Sequence, residues 1–357
     1  MNILLITNHC NTGGITSYLL NLSRGLIKEG HEVFLVAAQG DAASLFASSG
    51  VQCRWMDIRV KSEMHPKLWL ALPGVLAIIK DKKIDVIHAQ TRTTQVLSKA
   101  ASNISGVPFV STCHGFFRPR LFRRIFPCWG KAVIAISKAV AAHLRDDFNL
   151  PQSQMRLIAN GIDAAQFNAN RTRVFNPEAP VIGIIARLSP VKGIHILIEA
   201  FAQVLKQYPK ALLRIVGEGP AKEELLALAL RLNISGQVMF EAVVNQTARV
   251  LPEFDVFVMP SLQEGLGLSV MEAEAAGVPV IASNVGGLPD LVTDERTGLL
   301  VSPGDSKALA EKIIVLFKNP QMARDMAIAA RKQIEERFSS AQMSRETVNF
   351  YEQYTRR

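Results

Sequence analysis

The sequence predicts an α/β protein of two tandem, doubly wound parallel-sheet domains. Short runs rich in valine and isoleucine alternate with longer segments whose apolar residues recur every three or four positions. This alternation is typical of buried parallel strands joined by crossover helices. The polar segment 168–180, NANRTRVFNPEAP, interrupts the alternation, which then starts again. At 357 residues, 48% of them hydrophobic, the chain can form two cores of ordinary size.

Six strands are predicted before the interruption and six after it. They are ILLIT, EVFLVAA, IDVIHAQ, VPFVST, AVIAIS and MRLIAN, then PVIGIIARL, ALLRIVG, QVMFEAV, DVFVMPS, VPVIASN and TGLLVS. Segments such as SYLLNLSRGLIKEG supply the helices between them. We place the domains at 1–168 and 169–344, and we expect a C-terminal helix, 345–357, to return to the first. Ligands of such sheets bind at the carboxyl ends of the strands, so we expect the ligand in the cleft between the domains.

The cysteines and the apolar runs favour a cytosolic location. The four cysteines form no Cys-x-x-Cys pair, which argues against a disulfide framework or zinc site and favours a reducing compartment, the cytosol. The amino-terminal MNILLIT lacks the basic region and cleavage site of a signal peptide. The run LWLALPGVLAII is only 12 residues long and contains Pro73, so we expect no spanning helix.

The excess of positive over negative charge is confined to the first half of the chain. Residues 1–170 contain 19 Lys and Arg against 10 Asp and Glu, whereas residues 171–357 contain 21 of each. The first domain therefore faces an acidic partner, either a nucleic acid or an anionic membrane surface.

Two loops have the features of phosphate sites. Gly13 and Gly14 follow the first strand and precede a helix, where backbone N–H groups attract anions. This is neither a Gly-x-Gly-x-x-Gly nor a Walker sequence, and a tight turn explains a glycine pair equally well. In the second domain, Arg187 and Lys192 lie between a strand and a helix, and two cations there suit a diphosphate. A solvated loop is the alternative for this pair. Gly217, in the GEGP that follows the next strand, occupies the same topological position, and a simple turn is the alternative there.

The stretch 260–287, PSLQEGLGLSVMEAEAAGVPVIASNVGG, carries two glutamates eight residues apart. Glu264 follows a strand, and Gly265 and Gly267 let its loop approach a ligand closely. If Glu264 and Glu272 face the same ligand, their carboxylates suit a molecule with several vicinal hydroxyls. Glu274 lies about 200° around the helix from Glu272, so it is better explained as a helix-capping surface charge.

These motifs together resemble the family 4 retaining glycosyltransferases of the GT-B fold. The family signature E-G-x-G-x-x-x-x-E-A-x-A-x-G-x-P-V compares with EGLGLSVMEAEAAGVPV in this chain. The resemblance extends in order through the glycine pair, DVIHAQ, STCHG, AISKAV, IANGID and the loop of Arg187 and Lys192. The proline that commonly precedes the glycine pair in the family is absent. The resemblance implies two Rossmann-like domains facing across a cleft.

The resemblance also implies roles for individual residues. Glu264 would hold hydroxyls of the donor sugar, and Glu272 the ribose hydroxyls of the nucleotide. Arg187 and Lys192 would bind the diphosphate, Gly14 would approach the same phosphates, and His114 would lie near the sugar and the acceptor. The expected catalytic residues are His114, Glu264, Arg187 and Lys192. The expected donor-binding residues are Gly14, Arg187, Lys192, Gly217, Glu264, Gly265, Leu266, Gly267, Leu268 and Glu272.

The function predicted is that of a retaining, metal-independent hexosyltransferase without a cofactor. It would move a sugar from a nucleotide diphosphate sugar, expected to be UDP-linked, to a lipid-linked or glycan acceptor in envelope polysaccharide or lipopolysaccharide synthesis. The chain has no Asp-x-Asp triplet, the usual metal anchor of the other nucleotide-sugar transferase fold. A nucleotide-sugar epimerase or a non-catalytic nucleotide-sugar-binding protein of the same fold is the alternative. A dinucleotide-dependent oxidoreductase is disfavoured because its glycine fingerprint is missing.

The segment 114–131, HGFFRPRLFRRIFPCWGK, interleaves cations with aromatic side chains. We predict that it docks on anionic lipid, which would place the protein in the cytoplasm, on the inner face of the cytoplasmic membrane. The alternative is an amphipathic helix packed on its own domain. Nucleic acid is excluded as a partner because no groove-reading module accompanies the segment. The expected docking residues are Arg118, Arg120, Phe122, Arg123, Arg124, Phe126 and Trp129.

Cys113 and His88 are expected to have structural roles. Cys113 and His114 are neighbours on a strand and point to opposite faces, so they should not form a thiol–imidazole dyad. His88 ends an apolar strand and is better explained as a core histidine than as a ligand.

Overall fold

The computed structural model describes residues 1–119, 123, 125–167, 175–244 and 246–355. The chain divides into two compact units: unit 1 is Met1–Gly161 with Ser340–Arg357, and unit 2 is Ile162–Ser339. The boundary between the units thus lies between Gly161 and Ile162, before the boundary between residues 168 and 169 that the sequence suggested. Ile162 bridges to Ser339, and the carbonyl of Phe167 accepts a hydrogen bond from Arg331. These contacts hold residues 162–167 to unit 2.

Unit 1 is built on a parallel sheet that has, within the described residues, seven strands in the order β3-β2-β1-β4-β5-β6-β7. The strands are β1 Asn2–His9, β2 Glu32–Ala38, β3 Gln52–Trp55, β4 Val86–Ala89, β5 Phe109–Cys113, β6 Val133–Ala135 and β7 Met155–Leu157. The helices between them are α1 Gly14–Lys28, α2 Ala43–Ser48, α3 Pro66–Leu70, α4 Leu72–Asp81, α5 Arg92–Ser105 and α6 Lys138–Phe148.

The strands of unit 1 differ in how well the sequence predicts them. The centre of β1 is apolar and fully buried from Ile3 to Ile6, as expected for a parallel strand covered on both faces. Strand β3 was missed. It lies at the edge of the sheet, and its residues, QCRW, alternate between exposed and partly buried, so it lacks the continuous apolar run of a central strand.

Unit 2 is built on a second parallel sheet, in which the described strands have the order β10-β9-β8-β11-β12-β13. They are β8 Val181–Ile185, β9 Leu212–Val216, β10 Val238–Glu241, β11 Val256–Met259, β12 Val280–Ser283 and β13 Leu299–Val301. The helices are α7 Ile194–Val204, α8 Lys222–Arg231, α9 Leu268–Ala275, α10 Leu288–Leu291, α11 Ser306–Lys318 and α12 Pro320–Arg337. All six strands predicted for this half are present, and the predicted fold class is confirmed.

The C-terminal helix α13, Ser340–Thr355, packs on α1 and so belongs to unit 1. A side chain at Gly25 of α1 would collide with Ser344, whose hydroxyl lies 2.6 Å from the position of the missing Cβ. The hydroxyl of Ser344 also donates to Glu29 Oε1 at 2.7 Å. The two helices therefore approach closely along a small-residue contact.

Each sheet has one point at which the strand order reverses. It lies between β1 and β4 in unit 1 and between β8 and β11 in unit 2. In doubly wound sheets the loops that leave the carboxyl ends of these strands diverge and open a crevice, where ligands bind.

Candidate active site

The switch point of unit 2 brings two of the predicted residues into contact. Lys192 lies in a short 3₁₀ turn after β8, and Glu264 lies in the loop after β11. Because β8 and β11 are neighbours in the sheet, the side chains meet, with Lys192 Nζ 2.6 Å from Glu264 Oε2. The Glu264 side chain is 11% exposed and that of Lys192 23%. The two residues expected to hold the sugar and the diphosphate thus form a shielded ion pair with each other.

The Glu264 loop is held by further contacts. The N–H of Gly265 lies 3.2 Å from Glu264 Oε1, and the hydroxyl of Ser261, fully buried, lies 3.4 Å from Oε2. Gly286 has a φ of +59°, and a Cβ there would overlap the carbonyl oxygen of Glu264. The N–H of Gly287 donates to that carbonyl at 3.1 Å. A glycine is therefore required where the next loop crosses this one.

Arg187 and Gly217 follow the neighbouring strands β8 and β9, but they contribute differently. Arg187 is exposed beyond the end of β8, and within the part of the chain that the structure describes it forms no ion pair. Gly217 follows β9 with a φ of +148°, and a Cβ there would overlap the carbonyl oxygen of Ala186. The close approach of two backbones explains this glycine without a ligand.

Glu272 lies on α9, which begins just after Gly267, and is partly buried. Its side chain is hydrogen-bonded to that of Thr247, and burial raises the pKa of its carboxyl to about 7. Leu266 is buried, and Leu268 is the first residue of the helix. At neutral pH, Glu272 therefore exchanges between the carboxylic acid and the carboxylate.

The prediction for Glu274 was wrong. It is fully buried rather than a surface charge, and neither carboxyl oxygen has a hydrogen-bond partner among the described residues. Helix α9 packs against β11, β12 and α12, and Glu274 lies within this packing. Burial raises the pKa of Glu274 well above its usual value and holds the side chain as a neutral acid.

The corresponding loops of unit 1 contain Gly14 and His114. Gly14 begins α1 directly after the β1 loop, and no side chain caps that helix. His114 follows β5 and is partly exposed; its ring meets Tyr18 edge-on, with centroids 4.8 Å apart. Burial lowers the pKa of His114 to about 3, so its imidazole is neutral. Nε2 of His114 lies 2.8 Å from Oε1 of Gln90.

A buried hydrogen-bond network lies behind His114. His88 is fully buried, and its Nδ1 lies 2.6 Å from the hydroxyl of Tyr351 on α13. Its Nε2 lies 2.7 Å from the hydroxyl of Thr112, which is 3.3 Å from that of Tyr18. The expectation of a core histidine is confirmed. The sequence could have indicated Gln90, a polar residue directly after β4, but it gave no signal for Tyr351 or Thr247.

The cysteines offer neither a reactive thiolate at Cys113 nor a disulfide. Cys113 is buried, its thiol lies 3.2 Å from the carbonyl of Gly115, and burial raises its pKa to about 12. It is therefore a thiol and not a nucleophilic thiolate. All four cysteines are free. The described residues contain no cluster of three or more His, Cys, Asp and Glu side chains that could hold a metal ion.

The predicted docking segment is only partly described. Arg120, Phe122 and Arg124 lie outside the described residues. Arg118 is exposed, and Phe126 is 55% exposed.

Two of the predicted docking residues face inward instead. Trp129, expected at the lipid surface, is 4% exposed and packs edge-on against Phe148 with centroids 5.6 Å apart. The Arg123 guanidinium lies 4.0 Å from the centroid of the Phe117 ring. These contacts are cation–π and aromatic packing within unit 1, so both residues stabilise the domain itself.

An exposed apolar surface nevertheless remains beside this segment. The guanidinium of Arg92 donates to the carbonyls of Phe126 and Pro127, at 2.6 and 2.7 Å, and lies 3.4 Å from Glu63. Glu63 precedes α3; Met64, also before the helix, and Trp69 and Leu70 within it have exposed side chains. The apolar surface comprises Met64, Trp69, Leu70, Ile125 and Phe126.

Comparison with known proteins gives consistent matches. The family model Glycosyltransferase Family 4 matches residues 12–166, and Glycosyl transferases group 1 matches residues 166–333. N-acetyl-alpha-D-glucosaminyl L-malate synthase of Bacillus anthracis is 31% identical, over 97% of this chain and 95% of that protein. A GDP-mannose-dependent alpha-(1-6)-phosphatidylinositol monomannoside mannosyltransferase of Mycolicibacterium smegmatis is 28% identical, over 92% of each protein. The crystal structure of Anabaena HepE with UDP-glucose has a TM-score of 0.85 at 22% identity, covering 99% of this chain and 100% of that one.

Proposed function

Because the chain belongs to the family 4 glycosyltransferases of the GT-B fold, we propose that it transfers a hexosyl group from a UDP-sugar with retention of anomeric configuration. The observation that carries this proposal is the Lys192–Glu264 pair, 2.6 Å apart, in which Glu264 lies just before the helix that carries Glu272. A cation for phosphate and two carboxyls for hydroxyls are the groups that a nucleotide diphosphate sugar requires.

Donor binding would rearrange the ion pair. The diphosphate accepts hydrogen bonds from Lys192 and Arg187, and the carboxylate of Glu264 then accepts bonds from sugar hydroxyls. Glu272 accepts bonds from the ribose, an interaction common to all nucleotides. The UDP preference is supported by the fold shared with HepE, which binds UDP-glucose, whereas the Mycolicibacterium relative depends on GDP-mannose. A thermal-shift comparison of UDP-glucose with GDP-mannose tests it, because saturation at a hundred times Kd adds about 2.7 kcal/mol of stability.

Retention is proposed to proceed by front-face attack. Glu264 Oε1 accepts from the N–H of Gly265, and the carboxylate is assigned to the sugar hydroxyls once Lys192 moves to the diphosphate, so Glu264 is given a binding role and not that of a covalent nucleophile. The acceptor hydroxyl attacks the anomeric carbon on the face from which the diphosphate departs, and a phosphate oxygen takes the proton. Lys192 and Arg187 stabilise the negative charge that develops on that phosphate, a contribution that is often the largest in catalysis. These two cations would replace a metal ion.

The acceptor is proposed to be lipid-linked, in envelope polysaccharide or lipopolysaccharide synthesis at the inner face of the cytoplasmic membrane. Support comes from the excess of cationic residues in 1–170 and from the exposed apolar surface, whose segment of Ile125 and Phe126 is held by the hydrogen bond from Arg92 to the carbonyl of Phe126. No helix among the described residues is long and apolar enough to cross a membrane.

Incubation with labelled UDP-sugars and a membrane extract tests the proposal. Transfer of label to a lipid or glycan, with the anomeric configuration retained, is the expected result. Binding without transfer would indicate a non-catalytic nucleotide-sugar-binding protein, and an altered free nucleotide sugar would indicate an epimerase. Activity that survives EDTA would support metal independence.

A further inference from the structure

Gln90 and His114 occupy equivalent places on neighbouring strands of unit 1. Gln90 directly follows β4, and His114 directly follows β5. Since β4 pairs in parallel with β5, both residues leave the same carboxyl edge of the sheet. Gln90 is buried, and its Oε1 lies 2.8 Å from His114 Nε2.

The orientation of the Gln90 amide follows from its second contact. Its Nε2 lies 3.4 Å from the backbone carbonyl oxygen of His88, which can only accept. The amide nitrogen therefore faces that carbonyl, and the amide oxygen faces His114. An amide oxygen is an acceptor, so the hydrogen between Gln90 and His114 belongs to Nε2 of the imidazole.

The other ring nitrogen of His114 is consequently an acceptor. The imidazole is neutral because burial lowers its pKa, and a neutral ring carries one hydrogen only. No described residue bonds to Nδ1, and His114 as a residue is partly exposed. Tyr18, anchored through Thr112 to the His88 network, contacts the ring edge-on and restrains it.

We propose that Gln90 is a positioning residue that holds His114 as the Nε2–H tautomer, so that Nδ1 accepts a hydrogen bond from a sugar hydroxyl. The inference rests on the proposed function only for the identity of the ligand. The tautomer itself is a property of unit 1 without ligand.

The first experiment measures the tautomer by ¹⁵N NMR of histidine-labelled protein without ligand near neutral pH. In the wild type, the His114 ring should carry its hydrogen on Nε2 alone. In Gln90→Leu, both tautomers should be populated, whereas Gln95→Leu, the same change at another buried glutamine, should leave the spectrum of His114 unchanged. An Nδ1–H tautomer in the wild type, or a pure Nε2–H tautomer in Gln90→Leu, would overturn the proposal.

The second experiment uses the same signal to identify the ligand. A shift of Nδ1 on adding UDP-glucose, but not UDP, assigns the hydroxyl to the donor sugar. A shift that requires the acceptor-containing membrane extract assigns it to the acceptor. If neither mixture moves Nδ1 although UDP-glucose is bound, the hydroxyl contact is refuted.

The third experiment uses Gln90→Glu as the conservative variant. A carboxylate still accepts from Nε2–H, so kcat/KM should stay near that of the wild type at about pH 8.5, while Gln90→Leu should lose about tenfold. The added charge raises the pKa of His114, so Gln90→Glu should lose activity towards lower pH in a step that the wild type lacks. Tyr18 and His88 face this site, and burial keeps both neutral, raising the pKa of Tyr18 and lowering that of His88 to about 3.

Equal activity of Gln90→Leu and the wild type would contradict a positioning role. Circular dichroism and the Tm of each variant separate a misfolded protein from a misplaced imidazole. If the wild type transfers no sugar at all, the proposed function fails, yet the tautomer measurement still decides the role of Gln90.

Discussion

At the scale of single residues, the ion pair of Lys192 and Glu264 makes one substitution informative. Glu264→Ala removes the carboxylate that is expected to bind the sugar. In the wild type this carboxylate lies 2.6 Å from Lys192 Nζ, so the substitution releases Lys192 to bind the diphosphate. We expect kcat to fall by about a hundredfold or more, while UDP binds as well as before or more tightly. Calorimetric titration with UDP and steady-state kinetics measure the two quantities. Weaker UDP binding by this variant would contradict the proposed exchange of partners.

Glu272 should behave in the opposite way. If it accepts hydrogen bonds from the ribose, Glu272→Ala should weaken UDP binding by about 1 to 3 kcal/mol with a smaller effect on kcat. Because its pKa is raised to about 7, UDP affinity of the wild type should also fall as the pH decreases through 7 and the carboxylate is lost. Titrations at several pH values check both points, with Glu272→Ala as the variant in which the pH step should vanish.

Glu274 should make unfolding pH-dependent. Its pKa in the folded chain lies well above the value of 4.5 for an exposed carboxyl, so the folded state keeps a proton that the unfolded state loses. Stability is therefore fully present below about pH 4.5 and falls as the pH rises towards the folded pKa, by about 1.4 kcal/mol per pH unit. Glu274→Met should remove this slope and raise the free energy of unfolding at pH 8.

Urea denaturation at several pH values measures that slope. The exposed Glu224 on α8 offers the matched control, because Glu224→Met should leave the slope as in the wild type. If Glu274→Met destabilises the protein at pH 8, the buried carboxyl has a stabilising partner, such as an ordered water.

At the scale of elements, the sequence predicted what depends on local pattern. The apolar runs indicate β8 and β11, and the rule that ligands bind at strand carboxyl ends singles out Lys192 and Glu264, which are in contact in the structure. The burial of Glu274 could not be predicted, because helical periodicity shows which residues share a face but not that α12 packs against α9. Likewise, the contact of Tyr351 with His88 joins residues 263 positions apart, and no local pattern encodes it.

The helix α13 is anchored to the sheet by that contact. Tyr351→Phe should leave Nδ1 of the fully buried His88 without its hydrogen bond, at a cost of about 1 to 3 kcal/mol in the free energy of unfolding. Urea denaturation measures the loss. Tyr354 on the same helix is only partly buried, so Tyr354→Phe should change stability little. Equal effects of the two substitutions would show that the His88 contact is not the anchor.

At the scale of the whole molecule, the uneven charge and the exposed apolar side chains belong to the same unit. The excess of cations lies in residues 1–170, and Arg92 ties the segment of Ile125 and Phe126 to that of Met64 and Leu70. A cation near an anionic bilayer contributes about 1 kcal/mol, and apolar side chains add to binding by entering the headgroup region. Because Arg123 and Trp129 pack within unit 1, the docking surface should consist of the apolar surface joined by Arg92.

Co-sedimentation with vesicles tests this surface. Binding should be strong with anionic lipid, weak with neutral lipid, and reduced by salt, because charge attraction is screened. Replacing both Ile125 and Phe126, 60% and 55% exposed, with Asp should lower vesicle affinity by about tenfold or more, since two apolar contacts are lost and two negative charges face the lipid. Ile104→Asp is the matched control: Ile104 is 64% exposed but lies 12 residues beyond Arg92 on α5, about 18 Å along the helix. UDP binding should survive in all variants. Wild-type protein that ignores anionic vesicles at low salt, or an Ile104→Asp variant as impaired as the double variant, would refute the docking surface and favour a soluble acceptor.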